Sequence, residues 1–463
     1  MACSYRRGCA REERAGGMCI LHMPKEPPEA SEEARAIAAE FEVAWGHELD
    51  ARIAETGMHE IEIHGICFPT LRLSGREFER PVVFSGITVA GHTNITACQF
   101  ASGLHFEDCT LNGLYCHDSF FAVRPGEPFT RHREVDYVEN RGFQLEGVRV
   151  RGNLFFSSVH FGEIPLFNAR LEQRTMFRKC FFYDYVWFVI DCAGDAVFHH
   201  SQFAGQAMFD LSRFSASLTF NGADDLMFHD SVAFRALQLG PESSVSFINV
   251  NFRQASFIDT RIEDFDFRRV RWHRPRGRFF RWSRTRAAII DEFVPTPLVA
   301  PEQIAEVYRQ LVLNHEKKRD YTAAEDFHIG EMEMLRRAQR WPLNGYAIYR
   351  ALSRYGTSYG QALAVLMLIV VLFAGAFFFT GFRAGSRTVA YDLTFAPPLA
   401  NAADVLRDAR DALLFTLSIA AFNRERFYEP LGWQTRALTY LAALTLASQA
   451  ALVLLAIRRR FKR

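Results

Sequence analysis

The sequence predicts a repeat solenoid that is followed by a helical region with two membrane-spanning helices. The first observation is phenylalanine, which supplies 44 of the 463 residues, with 29 of them between Phe84 and Phe280. The second is spacing, because runs such as Phe198–Phe220 repeat at intervals of five and six. Neither a helix of period 3.6 nor a strand of period 2 produces such a run. A short fixed repeat is typical of a solenoid, whose stacked coils bury together what one unit cannot bury alone. The third observation is a pair of long uncharged segments near the C-terminal end.

Length and composition exclude several classes of protein. Charged residues make up 23% of the chain and the formal net charge is +1. These values exclude a disordered chain, a collagen and a small disulfide scaffold. A chain of this length normally divides into two or more domains. We predict a Cys/His-rich segment at 1–25, a helical segment at 26–60, the solenoid at 61–286, a helical linker or hairpin at 287–357 and a transmembrane domain at 358–463.

The N-terminal segment predicts a cytoplasmic location and a metal site. Residues Met1–Arg7 contain no apolar stretch, so no secretory signal is predicted, and the nine cysteines favour reduced thiols over a disulfide framework. Cys3, Cys9, Cys19 and His22 are close in sequence. Three thiolates and one imidazole suit a tetrahedral structural zinc ion. Their spacing differs from that of a standard zinc finger, so incidental thiols in an unfolded N-terminus remain the alternative.

The repeat has a resemblance to a known group. The Phe-x4-Phe units of Phe84–Trp272, which cover about 190 residues, resemble pentapeptide repeats in a degenerate, phenylalanine-centred form. The resemblance implies a mainly β fold, a right-handed quadrilateral β-helix with the central aromatic side chain inside each coil. Segment Val123–Arg141 interrupts the pattern and is predicted to be a loop or an irregular coil.

A stripe of arginines follows the repeat. Residues 268–286 contain nine arginines, no acid, and the aromatic residues Trp272, Phe279, Phe280 and Trp282. Three interpretations remain open: a cap on the last coil, a contact with anionic lipid or a protein partner, and nucleic-acid binding. Membrane attachment favours the first two over nucleic acid. The arginines are Arg268, Arg269, Arg271, Arg274, Arg276, Arg278, Arg281, Arg284 and Arg286.

The segment after the stripe extends the resemblance. Residues 308–311, 320–324, 327 and 331–333 are similar to a helical hairpin that follows such repeats in bacterial membrane proteins. Tyr355–Ser358 is likewise similar to that group, several members of which end in a two-span, ion-channel-like unit. Four apolar residues recur at helical spacing and are predicted to form the buried face of the hairpin: Ala324, Phe327, Met334 and Ala338.

Two segments are long enough to cross a bilayer. Ala362–Phe382 and Ala437–Ile457 each have 21 residues without a formal charge, and a hydrocarbon layer of about 30 Å needs roughly 20 helical residues. Arginines precede the first segment and basic residues follow the second, although the loop between them also contains arginines. The positive-inside tendency therefore predicts a multi-pass inner-membrane protein with the N-terminal region and the C-terminus in the cytoplasm.

A third apolar run, Ala412–Phe422, lies between the two spans and is too short to cross. It predicts a short helix at about 410–422, either re-entrant, as in a pore-loop channel, or resting at the outer interface. As a pore helix it would use Leu414, Thr416, Ser418 and Phe422. Potassium channels follow this helix with a Thr-x-Gly-Tyr-Gly filter, whereas Ser418–Asn423 contains no glycine, so potassium selectivity is not supported.

The predicted function is non-enzymatic, since the sequence contains no phosphate-binding glycine loop, nucleophile elbow or metal-hydrolase helix. We expect the cytoplasmic solenoid to bind a partner or to self-assemble, and to be coupled to an oligomeric two-span channel-like unit. Two spans per chain require an oligomer to enclose a pore, and a cyclic tetramer is the natural arrangement. The alternative is a non-conducting, membrane-anchored scaffold for protein interactions. Structural zinc is the one cofactor that the sequence suggests.

Overall fold

The computed structural model describes residues 11–12, 14, 18–55, 59–129, 142–162, 165–223, 227–275, 286–294, 299–391, 402–421 and 427–461. The chain forms two compact units, Met1–Asn314 and His315–Arg463. The first unit contains the solenoid, and the second contains most of the helices, including two long apolar ones.

The first unit is a parallel β-solenoid of nine turns over residues 61–272. Ile61 pairs with Val82, and Val82 pairs with Leu104, so a coil takes 21 or 22 residues. The next partner of Leu104 is Phe143, because the predicted interruption of the repeat adds a long insertion to that coil. The prediction of a repeat solenoid is confirmed, while residues 130–141 of the predicted interruption Val123–Arg141 lie outside the described residues.

Three large parallel sheets fit a four-sided β-helix, because the largest sheet folds over two sides. Its first side is formed by Ile61–His64, Val82–Ser85, Leu104–Glu107, Phe143–Val150, Leu166–Leu171, Val186–Cys192, Ala207–Met208, Val232–Ala233 and Ala255–Ser256. Its second side adds Cys67–Phe68, Thr88–Val89, Thr110–Leu111, Arg213–Phe214 and Gln238–Leu239.

The other two sides have their own sheets. The nine-stranded sheet is Leu71–Ser74, Thr93–Thr96, Leu114–His117, Leu154–Ser157, Thr175–Arg178, Ala196–His199, Leu218–Asn221, Val245–Ile248 and Asp266–Arg268. The six-stranded sheet is Glu77–Phe78, Gln99–Phe100, Phe120–Phe121, His160–Phe161, Phe181–Phe182 and Gln202–Phe203. A separate pair, Asn251–Phe252 with Arg271–Trp272, lies in the last coils. The right-handedness of the coil stays a prediction.

Columns of stacked phenylalanine rings fill the solenoid. Phe177 and Phe198, from successive coils, have ring centroids 4.8 Å apart and planes within 2° of parallel. Such pairs add about 0.5–1.5 kcal/mol each beyond the burial of their area. The columns are Phe78, Phe100, Phe121, Phe161, Phe182 and Phe203; Phe156, Phe177, Phe198, Phe220, Phe247 and Phe267; and Phe167, Phe188, Phe209, Phe234 and Phe257. Successive sides contribute one inward residue each, and in the coil Phe198–Phe220 all of these are phenylalanines, which explains the spacing of five and six.

Small polar and thiol side chains also occupy interior positions of the solenoid. Ser201 Oγ accepts a hydrogen bond from Cys180 N at 3.2 Å and donates one to Phe177 O at 3.0 Å, so its hydroxyl is satisfied between coils. Burial raises the pKa of the Cys109 thiol to about 11 and that of Cys180 to about 12, which keeps both protonated at neutral pH. Five cysteines are buried and unbridged within the coils: Cys98, Cys109, Cys116, Cys180 and Cys192.

Helix α1 (Glu32–Ala54) covers the first coil. It begins after Ser31, whose Oγ accepts from Ala34 N at 2.9 Å. Phe41 and Trp45, one turn apart on its buried face, lie edge-on to Phe68 with centroid separations of 5.3 and 4.9 Å. The N-terminal end of the solenoid is therefore closed by apolar packing.

The last coil is closed by helix α2 (Pro301–Lys317) with polar side chains. Asn314 Nδ2 donates to the carbonyl oxygens of Ile262, Glu263 and Phe265 at 3.2, 3.0 and 2.7 Å. Gln310 Oε1 accepts from Ile262 N at 2.8 Å. An open coil would leave these backbone groups as a template for strand pairing, and α2 satisfies them.

The second unit contains helices α3 (Tyr321–Ala338), α4 (Gly345–Ser353), α5 (Tyr359–Thr380), α6 (Ala402–Ala420) and α7 (Gly432–Phe461). A small antiparallel sheet pairs Phe382–Ala384 with both Arg387–Val389 and Tyr428–Pro430. Of the residues predicted to form the buried face of the hairpin, Ala324, Phe327 and Met334 are buried in α3, and Ala338 is half-buried.

Candidate functional site

Helices α5 and α7 are the two long apolar helices of the second unit. Residues Tyr359–Thr380 and Gly432–Arg459 are long and apolar enough to cross a membrane. They begin three and five residues before the predicted segments. Only 28% and 22% of their most apolar windows are buried, and large side chains such as Leu372, Leu444 and Leu454 are more than 60% exposed.

The three helices α5, α6 and α7 share one apolar core. Phe415 of α6 packs on Phe377 of α5, with ring centroids 4.7 Å apart, and on Phe382 at 5.3 Å. Ala442 and Leu446 of α7 belong to the same buried cluster. Helix α6 is therefore a packed part of this unit.

Aromatic side chains are exposed at both ends of the apolar pair. Trp341 and Tyr359 lie before or at the start of α5 and are 77% and 47% exposed. Phe427 and Trp433 lie before or at the start of α7 and are 53% and 77% exposed. Trp and Tyr in such positions are typical of the two interfaces of a bilayer.

Helix α6 extends further towards the N-terminus than the apolar run indicates. It begins at Ala402, so a charged half precedes the apolar half. Among the predicted pore residues, Leu414 is 43% exposed, whereas Thr416 is buried and donates to Ala412 O at 2.9 Å. Ser418 Oγ donates to Phe415 O at 2.7 Å. Phe422 lies outside the described residues.

An ion pair fixes the charged half of α6. Asp408 is buried and accepts from the Arg387 guanidinium at 3.0 Å and from the Tyr391 hydroxyl at 2.9 Å. The Tyr391 ring stacks on Phe378 with centroids 4.1 Å apart. This arrangement ties the small sheet to both α5 and α6, because Arg387 belongs to the sheet and Phe378 to α5.

A buried carboxylate joins α3, α4 and the turn that leads into α5. Glu333 Oε2 accepts from Arg336 at 2.9 Å, and its Oε1 accepts from Arg350 at 3.1 Å and from the Tyr355 hydroxyl at 3.2 Å. Burial and the nearby Glu333 carboxylate raise the pKa of Tyr355 to about 12, so its hydroxyl stays a donor at neutral pH.

Two amides fix α4 against the apolar helices. Gln449 of α7 is 2% exposed, and its Nε2 donates to Leu352 O at 3.1 Å and to Ala362 O at 2.8 Å. Gln361 of α5 donates to Arg350 O at 2.9 Å and to Ala351 O at 2.8 Å. The C-terminal end of α4 is therefore held at the N-terminal end of α5.

The described part of the proposed zinc segment brings two of its four residues together. Cys19 Sγ and His22 Nδ1 are 3.1 Å apart, while Cys3 and Cys9 lie outside the described residues. Nearby, the Lys25 ammonium donates to Cys67 O at 2.7 Å, and burial lowers its pKa to about 8. The zinc site stays a prediction.

The arginine stripe divides into exposed and buried members. Arg268, Arg269, Arg271 and Arg274 are exposed, and Arg268 pairs with Asp266 at 2.6 Å. Arg286 is only 9% exposed, so for this residue the interpretation as a contact with lipid or a partner is wrong. Its guanidinium is committed to an internal ion pair with the Glu292 carboxylate. Outside the described residues lie Arg276, Arg278, Arg281 and Arg284.

Sequence reasoning missed Asp408, Glu333 and Gln449. A signal for Glu333 exists in the sequence, since it is the last acidic residue before Asp392 and seven arginines lie between the two. The partners of Asp408 come from a hairpin that no local pattern predicts. Comparison with known proteins adds nothing, since no protein-family model, curated protein or solved structure matches this chain.

Proposed function

We propose that the chain is an integral membrane protein in which α5 and α7 cross the bilayer and hold the solenoid at its cytoplasmic surface. The observation that supports this proposal is the apolar surface left open on both helices. The core helix of a soluble protein buries most of its surface, whereas less than a third of each apolar window is buried here. Lipid chains are suitable neighbours for such a surface.

The solenoid serves in this proposal as an interaction platform. Helices α1 and α2 close its two ends, so its sides are the surfaces open to a partner. One side exposes Trp187 and Val189 by 39% and 42%, and the turn after the next strand of that side exposes Leu211 by 65%. Exposed apolar side chains grouped on one surface favour a protein partner or a second copy of the chain. The resemblance to pentapeptide repeats supports a right-handed coil.

Membrane insertion has a direct test in the full chain. We expect the protein to remain in the membrane pellet after alkaline carbonate extraction and to require detergent for release. A reporter protein that works only in the cytoplasm should be active when it is fused after Arg463, because the two proposed spans leave the C-terminus in the cytoplasm. Recovery of the chain in the carbonate supernatant overturns the proposal.

A channel-like oligomer is the second candidate. The observation that favours it is an exposed apolar stripe on α6, which is separate from the buried face that carries Phe415. In this stripe Leu406, Leu413 and Leu417 are 72%, 37% and 42% exposed. Spacings of seven and four place these leucines on one helical face, away from the buried Phe415. Asp404 and Arg407 flank Leu406, and charged neighbours suit a subunit contact better than lipid chains.

The channel hypothesis predicts a closed oligomer, with a tetramer as the simplest case. Mass measurement in mild detergent gives the subunit number, and ion flux into liposomes that contain the protein tests conduction. Leu406→Glu should dissociate the oligomer while leaving the apolar core intact. A monomer in detergent, or an oligomer that conducts no ions, leaves the non-conducting scaffold as the function.

A further inference from the structure

A group of exposed apolar and basic side chains, close together in sequence, precedes the start of α5. It consists of Arg340, Trp341, Leu343, Ile348 and Arg350, and we call it the juxtamembrane patch. Trp341, Leu343 and Ile348 are 77%, 82% and 55% exposed, which is unusual for three large apolar residues so close in sequence.

The turn that carries Trp341 and Leu343 is fixed by hydrogen bonds. Asn344 Nδ2 donates to Trp341 O at 2.9 Å and to Arg336 O at 3.2 Å, and its Oδ1 accepts from Ala347 N at 2.9 Å. One buried amide therefore ends α3, begins α4 and fixes the backbone at Trp341. The exposure of the tryptophan is a property of this fixed turn.

The helix that carries Ile348 and Arg350 is fixed at the end of the apolar pair where α5 begins. The C-terminal carbonyls of α4 are held by Gln361 in the first turn of α5 and by Gln449 in α7. Arg459, near the C-terminal end of α7, donates to Tyr355 O at 3.1 Å in the turn between α4 and α5. Thus α4 is anchored beside one end of both candidate spans.

The charge of the segment favours one kind of neighbour. Residues 334–391 contain no acid, and five arginines lie between Met334 and Tyr359. Arginines combined with Trp, Leu and Ile match a membrane interface, where apolar side chains enter the headgroup layer and guanidinium groups meet phosphates. We propose that the juxtamembrane patch docks on anionic phospholipid headgroups of the leaflet from which α5 starts. This inference rests on the proposed membrane insertion.

Tryptophan quenching in lipid nanodiscs tests the docking on the full chain. Discs are prepared with brominated phosphatidylcholine and an increasing fraction of brominated phosphatidylglycerol. The contribution of Trp341 is the difference between the fluorescence of the wild type and that of Trp341→Phe. Trp433, equally exposed at the start of α7, is the matched control and is measured through Trp433→Phe.

We expect quenching of Trp341 to rise with the anionic fraction, and quenching of Trp433 to be independent of it. Arg340→Gln should raise the half-saturating anionic fraction about fivefold, as for the loss of one arginine at a charged surface. Arg436→Gln, next to Trp433, should leave that fraction unchanged. If Trp433 is quenched and Trp341 is not, or if Trp341 is quenched equally without anionic lipid, the docking is refuted and the membrane proposal stands. If neither is quenched, both proposals fail.

Discussion

Replacing one of two adjacent phenylalanines tests the alternation of side chains in the solenoid. Phe155 and Phe156 are neighbours on the strand Leu154–Ser157, and they point to opposite sides of the sheet. Phe156 is fully buried and contacts four rings, with centroids 5.1 to 6.1 Å away. Phe155 is half-exposed and has one ring neighbour, His117, at 5.3 Å.

The expected costs differ several-fold. Phe156→Ala removes a buried ring from a packed column and should lower the free energy of unfolding by about 3–5 kcal/mol. Phe155→Ala leaves the column intact and should cost about 1 kcal/mol or less. For a unit of this size the first change lowers the melting temperature by on the order of 10 °C.

Thermal unfolding of the full chain in detergent, followed by circular dichroism in the β-sheet region, measures both shifts. Phe156→Leu is the conservative control and should lie between wild type and Phe156→Ala. The reasoning is refuted if the two alanine variants melt together. It is also refuted if Phe155→Ala is the more damaging change, since a one-residue slip of register would exchange the two faces.

Three further predictions concern the other sites. Glu333→Gln should lower the free energy of unfolding by about 1–3 kcal/mol, because it removes the charge that faces two arginines, and Tyr355→Phe should lower it by about 1 kcal/mol. A double-mutant cycle measured in detergent should give a coupling energy above zero for this pair. Additive effects would exclude a shared site. Gln449→Leu should release the C-terminal end of α4, which is measured as faster amide hydrogen exchange there. Gln449→Glu at neutral pH should increase that exchange further, because it buries a charge. Unchanged exchange in both variants contradicts this role of Gln449. Cys19→Ser should abolish stoichiometric zinc in metal analysis of the purified chain, with Cys180→Ser as the control, and equal zinc content in all three proteins contradicts the site.

The solenoid was predictable because its periodicity is a direct consequence of its geometry. Each inward ring, such as Phe198 or Phe203, lies on its own side of the coil, so the interval between neighbouring rings measures the length of one side. The spacing therefore predicts both the repeat and the buried residues. It does not predict the closing contacts of Asn314, since an asparagine that caps three carbonyls looks like any polar residue of an amphipathic helix.

Charged residues were harder to interpret because their partners are distant in sequence. Arg286 and the exposed Arg274 belong to the same arginine-rich stretch, yet contacts with Glu292 and Tyr308 make Arg286 an internal residue. Tyr308 belongs to helix α2, which begins 15 residues after Arg286. Asp408 likewise looks like one more charge before an apolar run, and only the hairpin residue Arg387 makes it structural. Composition locates charge, but it does not determine whether that charge faces water or a partner.

The two closures of the solenoid differ in chemistry, and the difference restricts how the first unit can respond to a partner. The contact of Trp45 with Phe68 is apolar, so small shifts of α1 at this contact cost little as long as area stays buried. The hydrogen bonds of α1 to the solenoid include those from Arg80, which donates to Arg52 O and Ile53 O near the surface. The contact of α2 is directional. Moving Asn314 away leaves the carbonyls of Ile262, Glu263 and Phe265 without their donor, at about 1–3 kcal/mol for each buried group. Helix α2 is therefore expected to follow the last coil as one rigid piece. A change in the solenoid would reach the residues after Asn314 as a displacement of the whole helix, and undocking of α2 is the costlier response.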